Sequence, residues 1–211
     1  SLEADDAIRV IVIAGTQRVF AAGADIEVMS TASPQTMLDL DTRSYWLRFS
    51  RITKPMIAAV SGWAFGGGCE LALQCDMIVA SERAQFAQPE IKLGIIPGAG
   101  GTQRWLKAVG PYKAMEMILA GESIDAQTAY EWNLVNRVVP VERYLDEALE
   151  LAQTIAERPP LAVKFAKEAL RMGLTHDLAA GLEVERRNFL LSFDTEDQAE
   201  GMAAFLEKRP P

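Results

Sequence analysis

Residues 55–101 read PMIAAVSGWAFGGGCELALQCDMIVASERAQFAQPEIKLGIIPGAGG, and this stretch contains the strongest structural and chemical signals of the chain. It opens with a short apolar run, Met56–Val60, which predicts a buried strand. A turn and three glycines, 66–68, follow directly before a helical pattern that continues to about Cys75. Three successive glycines let a backbone approach a ligand closely. Because unpaired N–H groups converge where a helix begins, this point predicts a site for an anion or for an oxygen that becomes negative.

Two glutamates lie in the same stretch, Glu70 just after the glycines and Glu90 in the segment QPEI. Most glutamates of a protein are exposed and solvated, and that interpretation stays open for both residues at this point. Each one, however, stands among apolar or glycine residues, where a carboxylate is costly unless it is paired, hydrated or used. A pair of carboxylates can divide the acid and base roles over one substrate. The pair is therefore a candidate for proton transfer.

The composition describes a globular protein and argues against several classes of partner. With 211 residues, the chain fits one large domain, or one domain with a helical appendage. Its net charge is 21 − 29 = −8 and no basic cluster stands out, which argues against a nucleic-acid partner. The first residues lack the pattern of a secretory signal, and the uncharged run 55–69 is short and glycine-rich, unlike a membrane span. We therefore expect a soluble protein in a reducing compartment.

Several common site types do not fit the sequence. Cys69 and Cys75 are the only cysteines, and their spacing matches no familiar zinc pattern, so we expect them to pack. His176 is the only histidine, so we expect no metal site and no His-dependent triad, and we expect it at the start of a late helix. Neither glycine loop is followed by the Lys-Ser/Thr of a phosphate-binding loop. The second loop has Gln103 where a dinucleotide fingerprint needs glycine.

Strands alternate with helices in the first part of the chain, and the rest is helical. The predicted strands are 8–14, 56–60, 77–80, 84–86 and 134–139. Residues 16–25 are predicted as a loop. The predicted helices are 33–50, 69–75, 103–108, 111–119, one that is capped by Asp125 and ends near Trp132, 141–157, 160–172, 176–191 and 195–208. This order indicates an α/β core, residues 1–139, and a C-terminal helical region, residues 140–211.

Four motifs occur in an order and spacing typical of a known enzyme family. They are FAAGADI at 20–26, GGGCELA at 66–72, QPEI at 88–91 and GIIPGAGGTQR at 94–104. Together with EGMAAFLEKR at 200–209, they closely resemble the crotonase (enoyl-CoA hydratase/isomerase) family, and most closely its enoyl-CoA hydratases. The resemblance covers essentially the whole chain, and the set of motifs is far more specific than any single glycine loop.

The resemblance implies a fold and an assembly. The fold is the crotonase-like spiral of ββα units with a C-terminal α-helical trimerisation region, forming a homotrimer or a homohexamer made of two trimers. Family members usually have several tens of residues before the strand that begins here near Ile8, so we expect the first strands of the spiral to be absent from this chain. Many relatives carry a lysine where this chain has Glu27, so we expect no phosphate contact from that position. The expected location is the cytoplasm, or the mitochondrial matrix in a eukaryote.

The resemblance also implies roles for individual residues. Ala24 and Gly67 look like the two N–H donors of an oxyanion hole for a thioester oxygen. Glu70 and Glu90 would hold a water molecule between them. Glu70 would activate this water for attack at C3, and Glu90 would transfer the proton at C2. The implied substrate-binding positions are Ala22, Asp25, Ile26, Gly66 and Gly98. No metal and no cofactor are expected. The CoA is part of the substrate, and the thioester itself accepts the electron pair that the attack at C3 displaces.

The function implied is that of an enoyl-CoA hydratase, which adds water reversibly to trans-2-enoyl-CoA in the β-oxidation of fatty acids or in related acyl-CoA degradation. An isomerase or hydrolase of the same family remains an alternative, although such enzymes typically change one or both acids and both are present here. An RNA-binding relative would need a lysine-rich helix before the central stretch. Residues 33–51 carry three arginines, two aspartates and no lysine, which is a poor phosphate-binding face.

Overall fold

The computed structural model describes residues 2–210, and in that part it contains eight strands and eleven α-helices. The elements are β1 (Ile11–Ala14), β2 (Val19–Ala21), α1 (Ile26–Ser30), α2 (Pro34–Asp39), α3 (Thr42–Ser50), β3 (Met56–Val60), β4 (Trp63–Phe65), α4 (Gly67–Gln74), β5 (Met77–Ser81), β6 (Gln85–Ala87), α5 (Gly101–Val109), α6 (Pro111–Ala120), β7 (Ser123–Asp125), α7 (Ala126–Glu131), β8 (Arg137–Val139), α8 (Tyr144–Ala156), α9 (Pro160–Thr175), α10 (Leu178–Ser192) and α11 (Glu196–Glu207). Two short 3-10 helices, Leu2–Ala4 and Pro89–Leu93, complete the secondary structure.

The strands form two four-stranded sheets, with the orders β1-β3-β5-β8 and β2-β4-β6-β7. Successive strands alternate between the sheets: the first strand of each of the pairs β1/β2, β3/β4 and β5/β6 joins one sheet and the second joins the other. Strand β5 is parallel to both β3 and β8, β4 is parallel to both β2 and β6, and β7 is antiparallel to β6. This alternation produces a spiral of ββα units, and the predicted α/β fold is confirmed.

The centre of the first sheet is almost entirely buried. All five residues of β3 are buried, as are four of the five residues of β5. This burial explains why the run MIAAV is continuously apolar, since a strand that is covered on both faces shows no alternation. Residues of β3 and β5 belong to one hydrophobic cluster, which also contains the completely buried side chains of Phe86 and Trp105.

The chain divides into two compact units. The larger one comprises residues 12–52 and 56–151 and contains both glycine loops and both candidate glutamates. The smaller one comprises, within the described part, residues 2–11, 53–55 and 152–210. The boundary that the sequence predicts after residue 139 stays a prediction. Among residues 2–210, no helix is both long and apolar enough to cross a membrane.

Three predicted elements differ from the structure. The predicted helix 33–50 is two helices, because Asp41 adopts a left-handed conformation (φ 45°) that interrupts the helical backbone. The predicted loop 16–25 contains β2, and the predicted turn after β3 is followed by β4. Strands of three residues are too short to show a period in the sequence.

Two helix caps bear on the predictions for His176 and Asp125. His176 does not begin a helix: it follows α9, and Asp177 caps α10 by accepting a hydrogen bond from the Ala180 N–H at 2.9 Å. Asp125 is confirmed as a cap, since its carboxylate accepts from the Thr128 N–H at 2.7 Å. Both observations fit the preference of aspartate for the N-cap position, directly before the first residue of a helix.

Gly68 is the position where α4 packs most closely on the second sheet. A Cβ atom at Gly68 would collide with the carbonyl oxygen of Ala21 in β2. In an open helix, replacing glycine by alanine stabilises by roughly 0.5–1 kcal/mol. Here we expect Gly68→Ala to lower the free energy of unfolding by roughly 1–3 kcal/mol, because the helix must shift away from the strand. Urea denaturation followed by circular dichroism measures the change.

The matched control is Gly201→Ala, since a Cβ at Gly201 in α11 would meet no atom within 4 Å. That variant should unfold at the same urea concentration as the unmodified protein or at a higher one. Equal stability of the two variants would show that the close contact between α4 and β2 is not required.

Candidate active site

The first turn of α4 is where the predicted site residues come together. Gly66 precedes this helix with φ 54° and ψ −126°, a conformation that side-chain-bearing residues rarely adopt. A Cβ on Gly66 would also lie 3.2 Å from Oε1 of Glu90. Glycine at this position therefore lets the chain turn from β4 into α4 and keeps the Glu90 carboxylate against the backbone.

The backbones at Ala24 and Gly67 lie side by side. A Cβ on Gly67 would be 3.8 Å from the Ala24 nitrogen, and a Cβ on Gly23 would be 3.2 Å from the Gly67 nitrogen. The parallel pairing of β2 with β4 explains this contact, because the chain leaves both strands at the same edge of the sheet. The two amides predicted as an oxyanion hole are thus neighbours in space, and one of them belongs to the first turn of a helix, whose N–H groups have no intrahelical partner.

Glu70 is fixed by the second glycine loop. Its side chain lies within α4 and is only 3% exposed. Its Oε1 accepts hydrogen bonds from the N–H groups of Ala99 and Gly101, both at 2.7 Å. A Cβ on Gly101 would come within 3.0 Å of the same oxygen, so this close approach requires glycine. The two bonds satisfy a buried carboxylate that would otherwise be very costly.

Glu90 lies on the 3-10 helix Pro89–Leu93 and is half-buried. Burial raises the pKa of its carboxyl above the ordinary value of 4.5, and the charge of Glu70 raises it further, whereas a hydrogen bond from its own backbone opposes the rise. The side chain of Gln88 is completely buried. In the amide orientation that satisfies its nitrogen, Gln88 donates to Oε1 of Glu90 at 2.9 Å and to Oε2 at 3.1 Å.

Two parts of this site escape analysis of the sequence. Gln88 positions Glu90, and its place beside Pro89 in the segment QPEI is the signal that could have indicated it. The donors from Ala99 and Gly101 are backbone groups, and only the glycines of the second loop hint at them. Cys69 is fully buried and its burial raises the pKa of the thiol, so it packs as the sequence indicates.

The other predicted binding residues border the same region. The carboxylate of Asp25 accepts from the Glu27 N–H at 2.9 Å and caps α1, whose first residue is Ile26. Ala22 is exposed between β2 and Gly23, and Gly98 is exposed directly before Ala99. The substrate contacts predicted for these residues stay predictions. Among residues 2–210, the histidine, cysteine, aspartate and glutamate side chains form no group of three or more that could hold a metal ion.

Two adjacent amides and two carboxylates thus gather around the start of α4. The amides can stabilise an oxygen that becomes negative, and the carboxylates can take and give protons beside it. A model of the enoyl-CoA hydratase/isomerase family matches residues 1–211. The chain belongs to this family. Its membership confirms the resemblance that the four motifs predict.

Relatives of known name agree with this assignment. An enoyl-CoA hydratase from the mitochondria of Pongo abelii is 47% identical over 207 residues, which are 98% of this chain and 71% of the relative. The 2,3-dehydroadipyl-CoA hydratase of Escherichia coli K12 is 50% identical over 208 residues, which are 98% of this chain and 81% of the relative. The crystal structure of an enoyl-CoA hydratase subunit I from Geobacillus kaustophilus superposes with a TM-score of 0.96 at 49% identity, covering 99% of this chain and 81% of that one.

The raised pKa of Glu90 predicts how the stability of the protein depends on pH. Because the folded protein favours the neutral carboxyl, the stability contributed by this group is fully present below pH 4.5 and is lost as the pH rises through the pKa of the folded state. Glu90→Gln keeps a neutral side chain at every pH but can accept only one of the two hydrogen bonds from Gln88. We therefore expect its melting temperature, relative to that of the unmodified protein, to be higher at neutral pH than at low pH. This relative gain should disappear as the pH falls below 4.5. Thermal melts over a pH series measure it.

The control for these melts is Glu27→Gln, which changes an exposed glutamate of α1. It should leave the melting temperature close to that of the unmodified protein throughout the series. A Glu90→Gln variant that is less stable at neutral pH, by the same amount at every pH, would contradict the proposed cost of the buried charge.

Proposed function

We propose that the protein catalyses the reversible addition of water to a trans-2-enoyl-CoA, giving the 3-hydroxyacyl-CoA. The observation that carries the proposal is the pair Glu70 and Glu90, each held by amide donors, beside the neighbouring amides of Ala24 and Gly67. The family membership supports the same reaction, since its model is described as enoyl-CoA hydratase/isomerase. The reaction places the protein in the degradation of fatty acids or of related acyl-CoA compounds.

The amides act on the thioester. The carbonyl oxygen of the substrate accepts hydrogen bonds from the Ala24 and Gly67 N–H groups, which stabilise the enolate-like charge that develops as C3 is attacked. These dipoles are fixed by the contact between the two backbones before the substrate arrives, so little reorganisation is needed during the reaction. The thioester itself accepts the electron pair, and we therefore propose that no cofactor takes part.

The carboxylates act on the water. The water lies between them, and Glu70 takes one of its protons as the oxygen forms a bond to C3. Glu90 gives its proton to C2, a role that suits a carboxyl whose pKa is raised by burial. After the product leaves, the proton passes from Glu70 to Glu90 through the next bound water, which restores both groups and balances the reaction.

The experiment is an assay of purified protein with trans-2-enoyl-CoA, followed by the loss of absorbance of the conjugated thioester. Glu70→Gln and Glu90→Gln keep the size of each side chain but remove proton transfer, so each should lower turnover by about two or more orders of magnitude. The double variant should be little worse than the poorer single one, because the two carboxylates share one water. Acyl-CoA binding should change little, since the amides hold the thioester oxygen.

The matched control is Glu82→Gln, an exposed glutamate of the same unit, which should keep full activity. Near-normal turnover in both single variants would show that the two carboxylates take no part in the reaction. Double-bond migration on 3-enoyl-CoA, without hydration on any chain length, would replace the hydratase proposal with the isomerase alternative.

We also propose that the protein assembles as a trimer or as a hexamer made of two trimers. Helices α10 and α11 expose large apolar side chains, among them Phe189 (52% exposed) and Phe205 (82% exposed). Exposed apolar area of this extent is typical of an interface between subunits. A location in the cytosol, or in the mitochondrial matrix of a eukaryote, fits two cysteines that are thiols and a Pongo abelii relative that is named mitochondrial.

Light scattering at assay concentration should give a mass that is a multiple of three subunits. We expect Phe205→Glu to shift the protein toward monomers, because a charge would be buried in the interface. Asp197→Asn on the same helix removes no apolar area and should leave the mass unchanged. A monomeric unmodified protein would overturn the proposed assembly.

A further inference from the structure

A cavity of about 220 Å³ lies beside the proposed reaction site in the larger unit. Its polar lining consists of Arg43, Ser50, Gln74 and Arg104, and Trp46 and Leu47 add an apolar wall. The four lining residues of α3 have the spacing i, i+3, i+4, i+7, so they share one face of this helix. One face of α3 thus supplies four of the eight residues that line the cavity.

The cavity shares a wall with the proposed catalytic machinery. Gly98 and Ala99 complete its lining, and the Ala99 N–H is one of the two groups that fix Oε1 of Glu70, at 2.7 Å. In the proposed reaction, the thioester oxygen lies at the amides of Ala24 and Gly67, and C2 and C3 lie at the glutamates. Because Ala99 contacts Glu70 and also lines the cavity, the carbons beyond C3 can extend past Gly98 and Ala99 into it.

The charge of the cavity does not suit the methyl end of a fatty-acyl chain. Two guanidinium groups line it, and no aspartate or glutamate does. The Arg104 side chain is held in place, since its Nη2 donates to Oε1 of Gln74 at 2.6 Å. Arg43 lies in the first turn of α3, and within residues 2–210 its guanidinium forms no ion pair. An apolar tail would remove water from these cations without replacing its hydrogen bonds.

We propose that this cavity binds a carboxylate at the far end of a short acyl chain, so that the preferred substrates are trans-2-enoyl-CoA thioesters with a terminal carboxylate. Arg43 is the main specificity-determining residue, and Arg104 adds a second positive charge. A guanidinium suits this role because its planar set of N–H donors matches a carboxylate. The cavity volume equals that of about seven water molecules at roughly 30 Å³ each, which is enough for a carboxylate and a few methylene groups. The inference rests on the proposed function, and it names the substrate class of the same site.

The experiment compares two substrates of equal length: trans-2-hexenoyl-CoA, and the same six-carbon chain with its terminal methyl replaced by a carboxylate. The unmodified protein should show a kcat/KM at least tenfold higher for the carboxylate substrate, on the scale of roughly one charge-assisted hydrogen bond. Arg43→Met should remove this preference by lowering kcat/KM for the carboxylate substrate alone, mainly through KM. Arg43→Lys should retain part of the preference, because it keeps the charge but loses the planar set of donors.

The matched control is Arg48→Met, which removes an arginine of the same helix that stacks on Tyr45 and does not line the cavity. It should leave the preference unchanged. An equal loss on both substrates in Arg43→Met would overturn the proposal, because the arginine would then serve a phosphate of the CoA that both substrates share. Equal kcat/KM for the two substrates with the unmodified protein would also overturn it.

Binding measurements separate this proposal from the proposed reaction. Calorimetry with the saturated six-carbon acyl-CoA compounds, one with a methyl end and one with a carboxylate end, needs no turnover. Tighter binding of the carboxylate compound, lost in Arg43→Met, would support the cavity assignment even if no hydration occurred. Equal binding of the two saturated compounds, together with active hydration, would overturn the cavity assignment and leave the hydratase proposal standing.

Discussion

The hydrogen bonds from the Ala99 and Gly101 N–H groups to one oxygen of Glu70 are the interaction on which the site depends. A carboxylate that is almost entirely buried is tolerated only where donors replace its water. Here the donors belong to a glycine loop that follows the Glu90 segment along the chain. The same two bonds therefore fix the orientation of one acid, hold the second glycine loop against α4, and define one wall of the neighbouring cavity.

The alternation of strands between two sheets makes this interaction possible. Each ββα unit adds one strand to each sheet, so loops from distant parts of the chain meet at the same edge. The loop after β2 supplies Ala24, helix α4 after β4 supplies Gly67 and Glu70, and the segment after β6 supplies Gln88 and Glu90. The groups of the candidate site thus come from three successive units of the spiral, and the parallel strands fix their separation.

The sequence predicts the parts of this arrangement that have a side-chain signature. The apolar run of β3, the three glycines and the two glutamates in apolar surroundings are visible because burial and close approach restrict which residues fit. The donors at Ala99 and Gly101 are backbone groups, and β2 and β4 have three residues each, so composition and periodicity do not reveal them. The role of Gln88 has no signature in the sequence for a different reason: a buried amide is recognisable only once its carboxylate partner is seen beside it.

The interruption between α2 and α3 is a local departure from the predicted helix, and it bears on the proposed specificity. In a continuous helix over residues 33–50, the first turn would determine the direction of the Arg43 side chain, because successive side chains of a helix are rotated by about 100°. The left-handed conformation of Asp41 breaks that phase, and α3 begins anew at Thr42. The face that carries Arg43, Trp46, Leu47 and Ser50 therefore does not follow from the orientation of α2. The break at Asp41, which the helical pattern does not indicate, thus separates the orientation of the cavity-lining face of α3 from that of α2.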